Sequence, residues 1–509
     1  MKYTTSKLSN VSKGACLFLG LLLLLITTAC SPSYEPSERW TQDMEQFRAL
    51  VLETHPKFAD ETLGSLERSM GTRAAFNDAL DALILDLPYL TDSEIIVGLQ
   101  GAAAVLGDNH FDILLSQLAA EEETMIYPLG FRWLSDGFYL LTAAEGFESA
   151  LNHRLVSISG RELDEIFSDF LTLWSIENIY NARSAFARML NNPVLLDAMN
   201  LQDERQIIFA FEDANGEQVE MRLSPADQVS VDTLTAVSFP VFPVDQRAEG
   251  DLPLFMDIRG RDGNGHNWFY FMEEYSILYI RLELYMQNTE AGIFAPFAED
   301  VKAAFETHVP DAVIIDARYN PGGDNAYLAE LFAFLAQNTE PGMLFHFIDE
   351  GSMSASLLGA AHLKSLGATL LGQPMGQNTD FFGFHSASAH DGMYFTLPED
   401  IDLTDLDSYI EIGLGTDRYP YFEVVTMTIR ELLEWAEGGD GEGISFDLTL
   451  NHSGLQISVP NMFLSASHLF GLELEFYTLR PHIVIEYTIQ DWINNHDPLL
   501  THVLALLAD

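Results

Sequence analysis

Two stretches, "DAVIID" (311–316) and "LFHFID" (344–349), are short, continuous and largely apolar. A strand that faces water on one side alternates in polarity, so unbroken runs of this length mark strands buried on both faces of a sheet. Each is followed by a loop rich in Gly or Ser and then an amphipathic helix, "NAYLAELFAFLAQ" and "SASLLGAAHLKS", and "ATLLG" (368–372) supplies a third strand. Strand, loop and helix in tandem predict a layered α/β domain, with functional loops leaving the carboxyl ends of its strands. The segments "ARYNPGGDN" and "EGSMS" are thereby expected on one rim.

The rest of the chain divides around that unit. Residues 39–125 read as helical: "WTQDMEQFRALVLETH" spaces Met44, Phe47, Leu50 and Val51 for one helix face, and "TDSEIIVGLQGAAAVLG" opens on a Thr–Asp–Ser cap. From about 126 the pattern turns to strands, with an "SDG" turn inside "MIYPLGFRWLSDGFYLLTA" and a strand, turn and helix start in "LVSISGRELDEIF". Residues 126–265 form a β-rich region. Residues 383–452 are rich in Asp, Glu and Gly with weak periodicity, and read as an acidic insertion. The α/β unit then comprises 266–382 and 453–509.

The N-terminus reads as a targeting segment, with Lys2, Lys7 and Lys13 ahead of the 12-residue apolar stretch "ACLFLGLLLLLI". A membrane span needs about 20 such residues, so this is a signal rather than an anchor. It ends in "TTAC". That pattern resembles a bacterial lipoprotein signal over 1–29, with Cys30 lipidated and 30–38 as a polar tether. The expected location is extracytoplasmic, on the cell envelope. Cys16 lies within the signal, so the exported chain keeps one cysteine and has no disulfide, zinc cluster or cysteine nucleophile. The formal net charge is −51, or −54 once residues 1–29 are removed. So anionic a surface repels nucleic acid and anionic lipid.

Three serines, Ser352, Ser354 and Ser356, crowd the loop after the second buried strand. Serine is a favoured helix cap, so the triplet alone does not make a nucleophile. Its place does more. Ser354 opens a helix at the rim, where unpaired amides lie, and the "NPGG" loop can bring bare backbone beside a reacting carbonyl. A nucleophile beside an amide pocket is the minimum for acyl transfer, and it needs a base.

In order, "DAVIIDARYNPGGDNAYLAELF", "FIDEGSMSASLLGAAHLKSLGATLLGQP" and "LRPHIVIEYTIQDWINNHDPLLTHVLALL" resemble the hallmark segments of the S41 serine peptidases, which include carboxy-terminal processing and tricorn-type proteases. "THPKFADETLGSLERSM" and "LGDNHFDIL" look like the helical leader of the tricorn-like branch, and "LVSISGRELDEIF" like its trimmed PDZ module. The resemblance implies a crotonase/ClpP-like α/β catalytic domain, a helical N-terminal domain and a PDZ-like β-rich module. It implies Ser354 as nucleophile, with Gly322, Gly323 and the Ala355 amide as oxyanion hole. The Ser–Lys version of the site is excluded, because the one lysine after Ser354 is Lys364, ten residues on within the helix. The other version takes a His from the leader and a distal Glu. His110 matches the first, and Glu475, or Glu473 beside it, the second. Chemically, a histidine has the intrinsic pKa to take a serine proton near neutrality.

The sequence departs from the family at Asn109, at Pro481–His482 and at "GQPMGQN", where relatives often have Gly, Pro–Asp and "GE-x-T-GG". The expected activity is cleavage of peptide or protein substrates without metal or organic cofactor, and the alternative is a lapsed relative that binds peptides. "DNH" alone is too sparse for a metal site.

Overall fold

The computed structural model describes residues 36–59, 72–114, 123–203, 205–232, 252–256, 262–263, 267–285, 294–323, 328–383, 393–396, 409–416, 419–428, 447–460 and 462–508, with positions 242, 245 and 247. The signal, Cys30 and much of the acidic insertion lie outside them. No helix among the described residues is long and apolar enough to cross a membrane.

Helices α1 (Pro36–Thr54), α2 (Arg73–Asp86) and α3 (Asp92–Ala104) pack around Met44, Phe47, Val51, Phe76, Leu80 and Leu99. The cap read from the sequence is real: Thr91 accepts from the Glu94 amide while Glu94 reaches back to the Thr91 amide. Leu450, Leu455, Ile457 and Val459 enter the same core, and the Asp43 carboxylate accepts from the His452 and Ser453 amides at 2.9 and 2.7 Å. The end of the insertion and the stretch that follows it are thus built into the helical layer.

Strands β1 (Leu129–Leu134), β2 (Gly137–Ala143), β3 (Arg154–Ile158), β4 (Ile207–Glu212) and β5 (Gln218–Leu223) form an antiparallel sheet in that order. Helices α4 (Leu163–Leu173) and α5 (Ile179–Met189) interrupt it between β3 and β4 and share its aromatic core of Phe131, Phe138, Phe170, Phe186 and Phe209.

Among the described residues the central sheet has seven strands. β6 (Asp262–Gly263), β7 (Asn267–Met272) and β8 (Ile277–Leu282) pair antiparallel. β8 then runs parallel to β9 (Ala312–Asp316), β9 to β10 (Leu344–Ile348) and β10 to β11 (Thr369–Gly372). Every residue of β8, β9 and β10 is buried, as their largely apolar runs require. Successive residues face opposite cores. Val313 and Ile315 pack with helices α6 (Phe294–His308), α7 (Ala329–Asn338) and α8 (Ala355–Ser365), while Ala312, Ile314 and Phe347 face the other side. The polar residue in "LFHFID" is accommodated by a hydrogen bond: His346 Nδ1 lies 2.9 Å from the Ile315 carbonyl, and burial pulls the ring down to a pKa of about 4.

Beyond β11, β12 (Asp380–Gly383) pairs antiparallel with β16 (Met462–Ser465), so the insertion leaves and returns through neighbouring strands. Within it, β13 (Met393–Thr396), β14 (Tyr409–Thr416) and β15 (Tyr419–Thr428) make a separate antiparallel sheet. That is more order than its weak periodicity suggests. β17 (Ile483–Val484) completes the central sheet beside β11, and α9 (Pro498–Ala508) covers one face through Leu499 and Val503.

One ion cluster ties the rim to this last helix. Arg318, just past β9, is buried over Phe255, its Nε 3.0 Å from Asp316 and its outer nitrogens 3.2 and 2.8 Å from Asp497. Asp497 also accepts from the Leu499 amide at 3.1 Å, capping α9. Asp497→Ala is expected to strip α9 of that cap and leave half of a buried guanidinium without its partner. The cost should be about 2–4 kcal/mol, read as a fall in Tm of several degrees. The exposed pair Glu475–Arg480 serves as control, since its loss should cost under about 1 kcal/mol.

Candidate active site

The "D-x-R-x-N-P-G-G" segment owes its residue types to the turn it makes at the rim. Asp316 and Arg318 pair as described; Asn320 donates to the Leu282 carbonyl at 2.9 Å and accepts from the Gly322 amide at 2.8 Å. Gly322 has φ +107°, and a Cβ there would stand 2.6 Å from the Ser354 Cβ and 2.9 Å from the Ala355 amide nitrogen. Only glycine lets the two loops meet this closely.

The facing loop is set by Asp349, whose carboxylate accepts from the Tyr319 amide at 2.8 Å and from the Gly351 amide at 3.0 Å. Ser352 is fully buried and donates to the Ala317 carbonyl at 2.8 Å; Ser356 is fully buried within α8. Neither is placed for chemistry. Ser354 differs. It stands at the cap position of α8 with φ 56° and ψ −127°, yet its side chain caps nothing. A non-glycine residue at positive φ carries strain that tends to mark function. Its Oγ lies instead 2.9 Å from His110 Nε2. Burial raises the carboxyl of Glu350, in the same loop, to about 8, with Asp349 adding to the effect.

His110 is delivered by the helical layer. After α3 the chain turns at Gly107 (φ 63°), and Asp108 Oδ1 accepts the His110 amide at 2.9 Å. The other oxygen of Asp108 is 3.0 Å from His55 Nε2, both groups fully buried. Phe381 of β12 stacks on the His110 ring at 5.4 Å and 11°. Burial lowers the His110 pKa below the usual imidazole value, and the Asp108 charge opposes that shift.

Around Nδ1 of His110 lie groups that the sequence reading did not single out. Gln377 places its amide nitrogen 3.2 Å from Nδ1 and 3.2 Å from Asn109 Oδ1, while its carbonyl accepts the Ser354 amide. Asp108 Oδ1 is 3.9 Å from Nδ1. Glu177 is buried and accepts from the Asn109 amide at 3.2 Å and the Asn378 amide at 2.7 Å. Burial, with Asp108 nearby, holds its carboxyl well above the normal range. Asn109 thus does work a glycine could not, since its side chain also donates to the Gly376 carbonyl at 3.3 Å. Gly376 is itself required, because a Cβ there would meet the Glu350 carbonyl at 2.2 Å. Gln377 sits in the "GQPMGQN" stretch that departs from the family pattern; Glu177, in "SIENIY", had no sequence signal.

Two expectations need correcting. Glu475 does not reach His110: its exposed carboxylate pairs with Arg480 Nε at 2.8 Å, and only its backbone carbonyl turns inward, to Thr379 Oγ1 at 3.0 Å. Glu473 is exposed as well. The reason is local geometry, since 473–477 carries no helix or strand that would aim an acid into the site. Gly322 is not an oxyanion donor, because its N–H is spent on Asn320. It serves by close approach, and the Gly323 and Ala355 amides are left without a hydrogen-bond partner among the described residues. Asp108, His110 and Glu177 bring ligand-type atoms within 4.8 Å of one another. The two carboxylates are engaged by His55 and by three backbone amides.

Gly322→Ala is expected to cut the rate of covalent labelling of Ser354 by a serine-directed fluorophosphonate about 100-fold or more, because its Cβ displaces Ser354 from the Gly323 and Ala355 amides. Circular dichroism should still show a folded chain.

No protein-family model matches the sequence, and no curated protein is similar enough to match. Among solved structures, mature CPAF in complex with lactacystin superposes at a TM-score of 0.56 with 12% identity, covering 93% of this chain and 98% of that one. Mature CPAF alone gives 0.55 at 12% identity over 93% and 97%. A putative S41 protease from Bacteroides fragilis is matched at 0.28 and 10% identity over 76% and 84%, too loosely to add to the comparison. What the CPAF matches establish is the fold: the layered α/β architecture expected from the buried strand runs is the fold of CPAF over nearly the whole length of both chains.

Proposed function

We propose that this chain is a serine peptidase of the S41 type, exported and held at the cell envelope by a lipid on Cys30. The observation that carries the catalytic part is the 2.9 Å contact between His110 Nε2 and Ser354 Oγ, joining residues 244 apart in sequence. The CPAF fold and the sequence segments quoted above are consistent with it. The signal-like N-terminus and the cysteine count support the export and the anchor.

In the proposed reaction a peptide carbonyl lies between Ser354 Oγ and the Gly323 and Ala355 amides. Ser354 attacks; its proton passes to His110 Nε2, and the oxyanion accepts from the two amides. His110 returns the proton to the departing amine, and a water repeats the sequence to release the acyl group. The positive φ of Ser354 keeps Oγ facing both His110 and the glycine loop. A negative charge of 51 over the chain favours cationic peptides as substrates. One observation favours peptide binding without turnover instead: the Gln377 amide aimed at Nδ1 of His110 is a donor where a base needs an acceptor.

The test is covalent labelling of the mature domain with a fluorophosphonate. Labelling should vanish in Ser354→Ala and fall about 10²–10⁴-fold in His110→Ala, whereas Glu475→Ala should stay within about threefold. Persistence of the label in Ser354→Ala would sink the assignment; a folded wild type that never labels would favour the binding protein. The labelling rate should also rise with pH through a single inflection below about 6.5, because only neutral imidazole is a base and burial lowers the His110 pKa.

A further inference from the structure

A histidine acts as base through Nε2 only when its proton sits on Nδ1, held there by an acceptor. The geometry around His110 provides the reverse. The Ser354 backbone amide can only donate, so the Gln377 side-chain oxygen must face it, and the Gln377 nitrogen must face His110. A donor at 3.2 Å makes Nδ1 an acceptor and puts the ring hydrogen on Nε2, pointing at Ser354 Oγ. That tautomer cannot take the serine proton.

The acceptor that could reverse it is already in place. Asp108 Oδ1 stands 3.9 Å from Nδ1, just outside hydrogen-bond reach. The carboxylate is fixed from both ends, by the His110 amide at 2.9 Å and by His55 Nε2 at 3.0 Å, so a small turn of the imidazole, not movement of the acid, closes the gap. Of the two carboxyls beside the ring, Glu177 is pushed toward its neutral form and its oxygens are engaged by the Asn109 and Asn378 amides and by the Gln377 side chain. Phe381 stacks on the ring and brings no charge, and Lys57 acts on Asp108 from beyond His55, whose Nδ1 accepts its amide at 3.3 Å.

We infer that Gln377 and Asp108 compete for Nδ1 of His110: Gln377 holds the pair in the unreactive tautomer, and Asp108, anchored by His55, is the carboxylate that turns His110 into a base. This rests on the proposed roles of Ser354 and His110, and assigns to Asp108 the orienting part expected of Glu475. The change of tautomer is balanced by water, which gives a proton to Nδ1 and takes one from Nε2. Loss of the Gln377 contact, whether by substrate displacing the side chain or by mutation, is what allows it. Both are positioning residues, since neither touches the reacting carbonyl.

The experiment combines ring nitrogen-15 chemical shifts of His110, assigned with His110→Ala, with fluorophosphonate labelling across pH. In the wild type the shifts should show hydrogen on Nε2. Gln377→Glu, which replaces the donor by an acceptor, should move it to Nδ1, speed labelling about tenfold or more and raise the pH of the inflection. Gln377→Met should move the hydrogen the same way with a smaller gain. Asp108→Asn in the Gln377→Met background should slow labelling about 100-fold and lower the inflection, because the charge that opposes desolvation is gone. Hydrogen on Nδ1 in the resting wild type would overturn the inference, as would an Asp108→Asn inflection that does not move. Should Asp108→Asn not fold, the ring shifts of Gln377→Met decide. If no variant labels at all, the peptidase reading fails, while the ring shifts still report which partner Nδ1 has.

Discussion

Everything at the rim depends on a buried guanidinium. Arg318 sits at the carboxyl end of β9, over an aromatic ring and between two carboxylates, one from its own strand end and one from the cap of the last helix. Alone, each charge would be costly so far from water. Together they fix the direction in which the chain leaves the sheet, and the next four residues form the turn that carries Gly322 against Ser354. The C-terminal helix is therefore part of the site's foundation although it contributes no atom to it.

The site itself is assembled from parts that belong to different layers. Ser354 comes from the central sheet, His110 and Asp108 from the end of α3, Glu177 from the approach to α5, and Gln377 from the loop beyond β11. They are joined by backbone amides as much as by side chains: Glu177 bridges the amides of Asn109 and Asn378, and Asn109 spans to Gly376. An arrangement of this kind couples the packing of the helical layer directly to the alignment of Ser354 with His110.

What the sequence revealed and what it concealed follow from how local each feature is. The buried strands were legible because burial on both faces leaves a continuous apolar run, and the "NPGG" turn because its residue types are dictated within a few positions. Ser354 was legible from its place between a strand and a helix, and His110 only through likeness to a known pattern. Asp108 stood in plain view two residues before His110 and was passed over, because an acid in a chain with 76 acidic residues carries little information. His55, Glu177 and Gln377 matter only through contacts 53 to 267 residues away in sequence, which no periodicity records. The assignment of Glu475 failed for the same reason: distance along the chain says nothing of which way a side chain turns in an irregular segment.

The insertion between β12 and β16 begins at a residue paired across from the one to which the chain returns, Gly383 opposite Met462. Two positions before that junction is Phe381, the ring stacked on the His110 imidazole. The 78-residue excursion and the ring that stacks on His110 thus share a single strand. The packing of Phe381 on the imidazole is therefore set by the strand from which the insertion departs.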